Sequence, residues 1–122
     1  MAKIRHLAVF TPDTNALAAF YVNTFGLHEV MRRDKPNGAI YLSDGYINLA
    51  ILPNEGEAAG EPPGINHFGF QVDDVDASAE IAMHNGATQG RSSVPADGRY
   101  TEAYVRDPIG QRVDLSSAGW KV

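Results

Sequence analysis

The sequence predicts an α+β fold in which two βαβββ modules form a curved, cup-like mixed sheet with the helices on its outer face. An apolar strand pattern containing one histidine occurs twice, at residues 4–10 and 65–72. Each copy runs into an acidic residue suited to cap a helix, and further strand patterns follow that helix. A segment rich in proline, glycine and glutamate, residues 53–63, separates the two copies. An internal duplication of this kind predicts two similar structural modules.

Length and composition set the class of protein. A chain of 122 residues is expected to form one domain, with module 1 at about residues 1–53, a linker at about 53–63 and module 2 at about 64–122. The net charge of −5 and the scattered basic residues argue against a nucleic-acid partner. There is no cysteine, which excludes thiolate chemistry. No run reaches transmembrane length and no signal-peptide core is seen, so we expect a cytoplasmic protein without a membrane partner.

The first module is predicted to begin with a strand at residues 3–10. Asp13 then marks a helix start, Gly26 ends the helix, and four residues recur between them at helical spacing: Leu17, Phe20, Tyr21 and Thr24. A strand at residues 27–33 and a turn at 34–38 follow. The strands at residues 39–43 and 46–52 flank Asp44-Gly45, which is typical of a two-residue hairpin turn.

The second module is predicted to repeat this order. A strand at residues 65–72 leads to a helix capped by Asp73 or Asp74 and closed by Gly86. A weak strand at residues 88–92 and a loop at 94–99 come next. Strands at 100–106 and 111–116 complete the module, and a tail with Trp120 requires a surface to pack against.

Strand alternation sorts the side chains into two faces. One face is apolar and predicted to form the core with the helices: Leu7, Val9, Ile47, Leu49, Ile51, Phe68, Phe70, Val72, Val113 and Leu115. The other face carries polar groups at duplicated positions, because His6 aligns with His67 and Asn48 with Asp114. Small residues lie two positions beyond each of them (Ala8, Ala50, Gly69 and Ser116), and we expect them to leave room for a ligand.

These polar groups suggest a metal site. Two neutral imidazoles, His6 and His67, with the carboxylate of Asp114 would form a facial triad on a divalent cation. Asn48 is a candidate fourth ligand, or a hydrogen-bond partner of a bound species. The alternative is that both histidines are structural residues on a partly wet face of the sheet.

Other polar residues are candidates for the lining of a pocket: Tyr46, Gln71, Arg99, Glu102 and Tyr104. Tyr104 is a possible acid or substrate donor, although strand tyrosines more often pack with the hydroxyl in water. A reaction that requires a base would have to use Asp114, Glu102 or Tyr104.

Several stretches resemble the vicinal oxygen chelate superfamily, which includes glyoxalase I, methylmalonyl-CoA epimerase, extradiol dioxygenases and bleomycin resistance proteins. The resemblance covers nearly the whole chain and is carried by four stretches: residues 4–6, 20–27, 65–74 and 107–115. It implies a divalent metal (Fe²⁺, Mn²⁺, Ni²⁺ or Zn²⁺) held from the first and last strands of each module, by His6, Asn48, His67 and Asp114. This chain departs from the family pattern at Asn48, where glutamate, glutamine or histidine is frequent, and at Asp114, where glutamate is usual.

The resemblance implies a small metal-dependent enzyme whose substrate chelates the cation through adjacent oxygens. Both a lyase or isomerase and an extradiol-type dioxygenase are consistent with it. The alternative is a metal-free binding protein of the bleomycin-resistance type, with an aromatic pocket of Tyr46, Tyr104 and Trp120. A homodimer is also expected from the resemblance, and the linker would permit exchange of modules between chains.

Overall fold

The computed structural model describes residues 1–92 and 103–122. Two compact units emerge from the packing of the chain. The N-terminal unit consists of His6–Asn66 with Lys121 and Val122, and the C-terminal unit of Met1–Arg5 with His67–Trp120. Each unit shows the predicted βαβββ order, which confirms the α+β fold class.

The elements of the first module are β1 (Lys3–Thr11), α1 (Thr14–Phe25), β2 (His28–Arg32), β3 (Ile40–Ser43) and β4 (Asn48–Pro53). In the N-terminal unit the strands are arranged β2-β3-β4-β1, with β1 parallel to β4 and the other pairs antiparallel. The sheet of this unit is therefore mixed, as predicted.

Helix α1 begins and ends where its sequence predicts. The Asp13 carboxylate accepts a hydrogen bond from the amide of Ala16 at 3.0 Å, and Gly26 ends the helix with a φ of 74°. Leu17 and Tyr21 pack against a core of Val9, Ala18, Ile40, Leu42 and Ile51. Phe20, however, is 53% exposed and Thr24 is exposed as well, so the helical spacing included two residues that the core does not bury.

The connection between β3 and β4 differs from the prediction. Ser43 pairs with Asn48, so the loop holds four residues and not the two-residue turn Asp44-Gly45. The Asp44 carboxylate accepts hydrogen bonds from the amides of Tyr46 at 2.8 Å and Ile47 at 2.7 Å. Because the side chain holds these two amides, they are not free for a ladder, and the strand starts later than its pattern predicts.

The linker is mostly irregular and includes a short 3₁₀ turn at Gly56–Ala58. The second module follows with β5 (Gly64–Gln71), α2 (Val75–His84), β6 (Gln89–Ser92), β7 (Ala103–Arg106) and β8 (Arg112–Ser116). In the C-terminal unit the strands are arranged β5-β8-β7-β6, with β5 parallel to β8. The predicted loop at residues 94–99 and the start of the predicted strand at 100–106 lie outside the described residues.

The core of the C-terminal unit repeats the design of the first. The Asp74 carboxylate caps α2 through the amide of Ala77 at 3.0 Å. Val72, Val113 and Leu115 of the predicted core face are buried under the helix, with Phe68 and Phe70 beside them. Ala103 and Val105, which the pattern did not include, are buried in the same cluster. A cavity of about 390 Å³ remains between α2 and this face, lined mainly by apolar side chains. Within the described ranges, no helix is long and apolar enough to cross a membrane.

Candidate metal centre

In the N-terminal unit, His6 and Asn48 form a pair that we call the histidine–amide pair. The parallel ladder of β1 and β4 sets His6 directly opposite Asn48, and Ala8 opposite Ala50. His6 is 4% exposed and Asn48 is fully buried. Both side chains point away from the apolar core, as strand alternation predicts.

Hydrogen bonds fix the orientation of both members of the histidine–amide pair. Asn48 Nδ2 donates to the carbonyl of Lys121 at 2.9 Å, so its Oδ1 is the acceptor that lies 3.1 Å from His6 Nδ1. His6 Nδ1 must then carry the proton. In a neutral imidazole the lone pair consequently resides on Nε2, which is the form that ligates a metal.

In the C-terminal unit, His67 and Asp114 form a second pair, the histidine–carboxylate pair. His67 Nε2 lies 3.2 Å from Asp114 Oδ2, and the two side chains are 6% and 1% exposed. Strand β8 sets Asp114 opposite Gly69, two residues beyond His67 on the same face of β5. The pair therefore lies on the non-core face, where the sequence predicts it.

The Asp114 carboxylate has a second partner. Its Oδ1 accepts a hydrogen bond from Arg112 Nε at 2.8 Å. Burial alone would raise the pKa of Asp114, but the hydrogen bond and charge of His67 and the charge of Arg112 outweigh it, so the pKa is lowered. Asp114 is thus an anion within a buried setting, and a lowered pKa suits a metal ligand better than a general base.

The spacing in the histidine–carboxylate pair fits a divalent cation. Metal–nitrogen and metal–oxygen bonds of about 2.1 Å place adjacent ligand atoms of one ion about 3 Å apart. The measured separation of 3.2 Å is close to that value.

The space expected beside Gly69 is filled by the chain itself, which corrects one prediction. A Cβ on Gly69 would lie 2.7 Å from Cη2 of Trp120, and Trp120 is only 7% exposed. The glycine therefore leaves room for an indole ring and not for a ligand. Gly69 also provides the surface against which Trp120 of the C-terminal tail packs, as the sequence required.

The remaining pocket candidates are scattered. Tyr104 lies opposite Asp114 in the β7–β8 ladder. Gln71 lies 3.4 Å from Arg5 through its side-chain oxygen, and Tyr46 is 48% exposed. Glu102 and Arg99 lie outside the described residues.

Sequence reasoning missed Arg112. Its guanidinium carbon lies 4.7 Å from the centroid of the Tyr104 ring, over the ring face. The strand alternation that selected Asp114 also applies to a residue two positions earlier, so the signal was present in the pattern. A guanidinium does not ligate a cation, so a pattern of metal ligands does not include Arg112.

Known proteins support the fold and the family. The family model described as "Glyoxalase/Bleomycin resistance protein/Dioxygenase superfamily" matches residues 3–115. The uncharacterized protein YaeR of Escherichia coli is 33% identical over 94 residues, covering 70% of this chain and 73% of that protein. An ethylmalonyl-CoA/methylmalonyl-CoA epimerase of Cereibacter sphaeroides is 25% identical over 111 residues, covering 82% of this chain and 83% of the epimerase.

Among solved structures, a hypothetical protein of Bacillus halodurans, BH1468, shares the fold with a TM-score of 0.79 at 19% identity, covering 99% of this chain and 97% of its own. The matches to the superfamily description and to YaeR extend over most of the sequence. This chain belongs to the glyoxalase/bleomycin resistance protein/dioxygenase superfamily.

Proposed function

We propose that this chain is a small divalent-metal-dependent enzyme that acts on a substrate chelated through adjacent oxygens. His6, His67 and Asp114 are the proposed protein ligands, since each is buried and offers one ligand atom. The observation that carries the proposal is the histidine–carboxylate pair, whose 3.2 Å spacing suits two ligands of one ion. When bound, such a cation supplies Lewis-acid polarisation of a substrate carbonyl.

Asn48 is proposed to orient His6 and not to ligate. Both ends of its amide are hydrogen bonded, to His6 and to the carbonyl of Lys121. A partner that fixes the ring and the tautomer of a ligating histidine is the usual second layer of a metal site. This role also explains why position 48 holds an asparagine, where glutamate, glutamine or histidine is frequent in the family that the sequence resembles.

The proposed reaction class is proton transfer beside a carbonyl, as in a lyase or isomerase. The epimerase of Cereibacter sphaeroides supports this class over oxygen chemistry. Asp114 is assigned to ligation because of its lowered pKa, so Tyr104 and Glu102 remain the proposed acid and base candidates. Tyr104 lies opposite Asp114 and is therefore beside the proposed site.

The first test is the elemental metal content of protein purified without an affinity tag, before and after reconstitution with Fe²⁺, Mn²⁺, Ni²⁺ or Zn²⁺. We expect about one ion per chain, lost in His6→Ala and His67→Ala. The exposed histidines His28 and His84 provide matched controls, since their alanine variants should retain the ion. Absence of metal in the wild type under every condition would favour the metal-free binding protein.

A second measurement separates the reaction classes. Candidate α-ketoaldehydes, acyl-CoA esters and catechols would be incubated with the metal-loaded protein in deuterated water. Incorporation of deuterium at a carbon beside a carbonyl, followed by NMR, is the expected result. Oxygen consumption with a catechol, without deuterium incorporation, would instead assign a dioxygenase.

The assembly is also a proposal. We propose that residues 1–122 act as one domain and that two chains form a homodimer, with the linker permitting exchange of modules. Analytical ultracentrifugation should then give twice the 13.2 kDa chain mass. A species of single-chain mass at every concentration would reject the dimer.

A further inference from the structure

We propose that Arg112 binds a carboxylate of the substrate, so that the substrate is an organic anion. This inference rests on the proposed metal site, because it assigns the group that recognises the rest of the chelated molecule. It concerns a residue that belongs neither to the proposed ligands nor to the acid and base candidates.

Arg112 shares a face of the sheet with the histidine–carboxylate pair. It precedes Asp114 by two positions on β8, and residues two apart on a strand point to the same side. Its Nε atom donates to Asp114 Oδ1 at 2.8 Å, while the other oxygen of that carboxylate faces His67. The Asp114 carboxylate therefore lies between the Arg112 guanidinium and the His67 imidazole, and contacts both.

Two contacts hold this guanidinium in a defined plane. Asp114 binds one edge of the group through Nε, and the Tyr104 ring supports its face at 4.7 Å. A side chain fixed in this way loses little conformational entropy when it binds a ligand. Lysine would offer neither the planar stacking nor the fork of donors.

Within the part of the chain that the structure describes, the rest of the donor set is open to a ligand. Arg112 uses only Nε on Asp114, and no described residue accepts a hydrogen bond from either terminal amino group. The side chain is 35% exposed, whereas Asp114 is 1% exposed. If Arg112 served only to neutralise Asp114, we would expect a bidentate pair in which two guanidinium nitrogens donate to both carboxylate oxygens.

Charge balance points to the same class of ligand. The charges of Asp114 and Arg112 cancel each other. The two positive charges of a bound cation would then have no counterpart among these groups, which favours an anionic substrate. A planar carboxylate matches two parallel N–H donors of a guanidinium, so carboxylate is the predicted group.

The experiment compares malonate with its neutral analogue malonamide by calorimetric titration of metal-loaded protein. Trp120 is the single tryptophan and lies against Gly69, opposite Asp114, so its fluorescence gives an independent readout. Arg112→Gln should weaken malonate binding by about 10- to 100-fold, since charge-assisted hydrogen bonds are lost. Malonamide binding should not change.

Arg106→Gln is the matched control. Arg106 lies beside the same tyrosine ring, at 5.9 Å, but donates to the carbonyl of Gly110 at 3.0 Å. Its removal should leave malonate binding as in the wild type. Arg112→Lys keeps the charge and should recover part of the affinity, which covers the case in which the glutamine variant fails to fold.

Equal malonate affinity in wild type and Arg112→Gln would overturn the assignment. Repeating the titration on protein treated with a chelator separates the two proposals. If the wild type binds malonate but no metal, and Arg112→Gln no longer binds malonate, the metal site fails and the anion site stands. If the wild type binds metal and the Arg112 variants bind malonate as tightly as the wild type, the metal site stands and the anion site fails.

Discussion

The histidine–amide pair and the histidine–carboxylate pair lie on duplicated strands, but their histidines use different ring nitrogens. His6 uses Nδ1 to meet Asn48, whereas His67 uses Nε2 to meet Asp114. The reason is the register. His6 lies directly opposite Asn48, but Asp114 lies opposite Gly69, two residues past His67.

A shift of two residues keeps a side chain on the same face and moves it by about 6.6 Å along the strand. His67 must therefore extend its outer nitrogen to reach the carboxylate, while His6 contacts its neighbour with the inner one. One duplicated pattern therefore yields a histidine–amide hydrogen bond in one unit and a histidine–carboxylate contact in the other. Register, and not residue type alone, separates the two arrangements.

The largest expected effect is loss of the ion in Asp114→Ala. The substitution removes a proposed ligand and leaves Arg112 without its counter-charge. Calorimetric titration with Mn²⁺ or Zn²⁺ should show no binding, and thermal unfolding should show a destabilisation of roughly 3 kcal/mol, typical of a broken buried ion pair. Asp107→Ala, on the turn before β8, is a carboxylate control and should retain the ion; loss there as well would point to general misfolding.

Asn48→Ala should have a smaller effect on metal binding. If Asn48 only orients His6, affinity should fall by about 10- to 100-fold and not disappear. Asn54→Ala, which removes an exposed hydrogen bond to the carbonyl of Glu61, is the control and should bind normally. A tighter complex in Asn48→Asp would contradict the orienting role and make residue 48 a ligand.

Gly69→Ala tests the contact between Gly69 and Trp120, which lies next to Asp114 in the sheet. The new Cβ would lie 2.7 Å from the Trp120 ring, so the ring must move, at a cost of about 1–3 kcal/mol in unfolding free energy. We expect a red shift of tryptophan fluorescence and a lower melting temperature. Gly60→Ala, with no atom within 4 Å, should change neither; an unshifted spectrum in Gly69→Ala would mean that the ring does not rest there.

The smallest effect is expected at the helix caps, and it should be equal in the two units. Asp13 and Asp74 each accept an amide hydrogen bond at 3.0 Å. Alanine at either position should lower the free energy of unfolding by about 1 kcal/mol. Chemical denaturation measures both; a clear difference between them would show that the duplication does not extend to the stability of the helices.

The sequence by itself determined the two βαβββ modules, the capped helices and the faces of the strands. These features follow from local chemistry: a carboxylate at a helix start, a glycine at its end, and a side-chain period of two along a strand. That information also selected His6, Asn48, His67 and Asp114 as one polar set. It could not assign their roles, because both pairs satisfy the same alternation.

Tertiary structure decided what depends on register and on distant segments. Ladder pairing determined which imidazole nitrogen each histidine uses, and the Asp44 carboxylate delayed the start of β4 by holding two amides. Packing of Trp120 filled the space that Gly69 was expected to leave open. The Arg112 guanidinium lies over the ring of Tyr104 on a neighbouring strand, a contact that the linear pattern does not predict. Local rules define each element, whereas contacts between elements far apart in sequence depend on the packing of the whole fold.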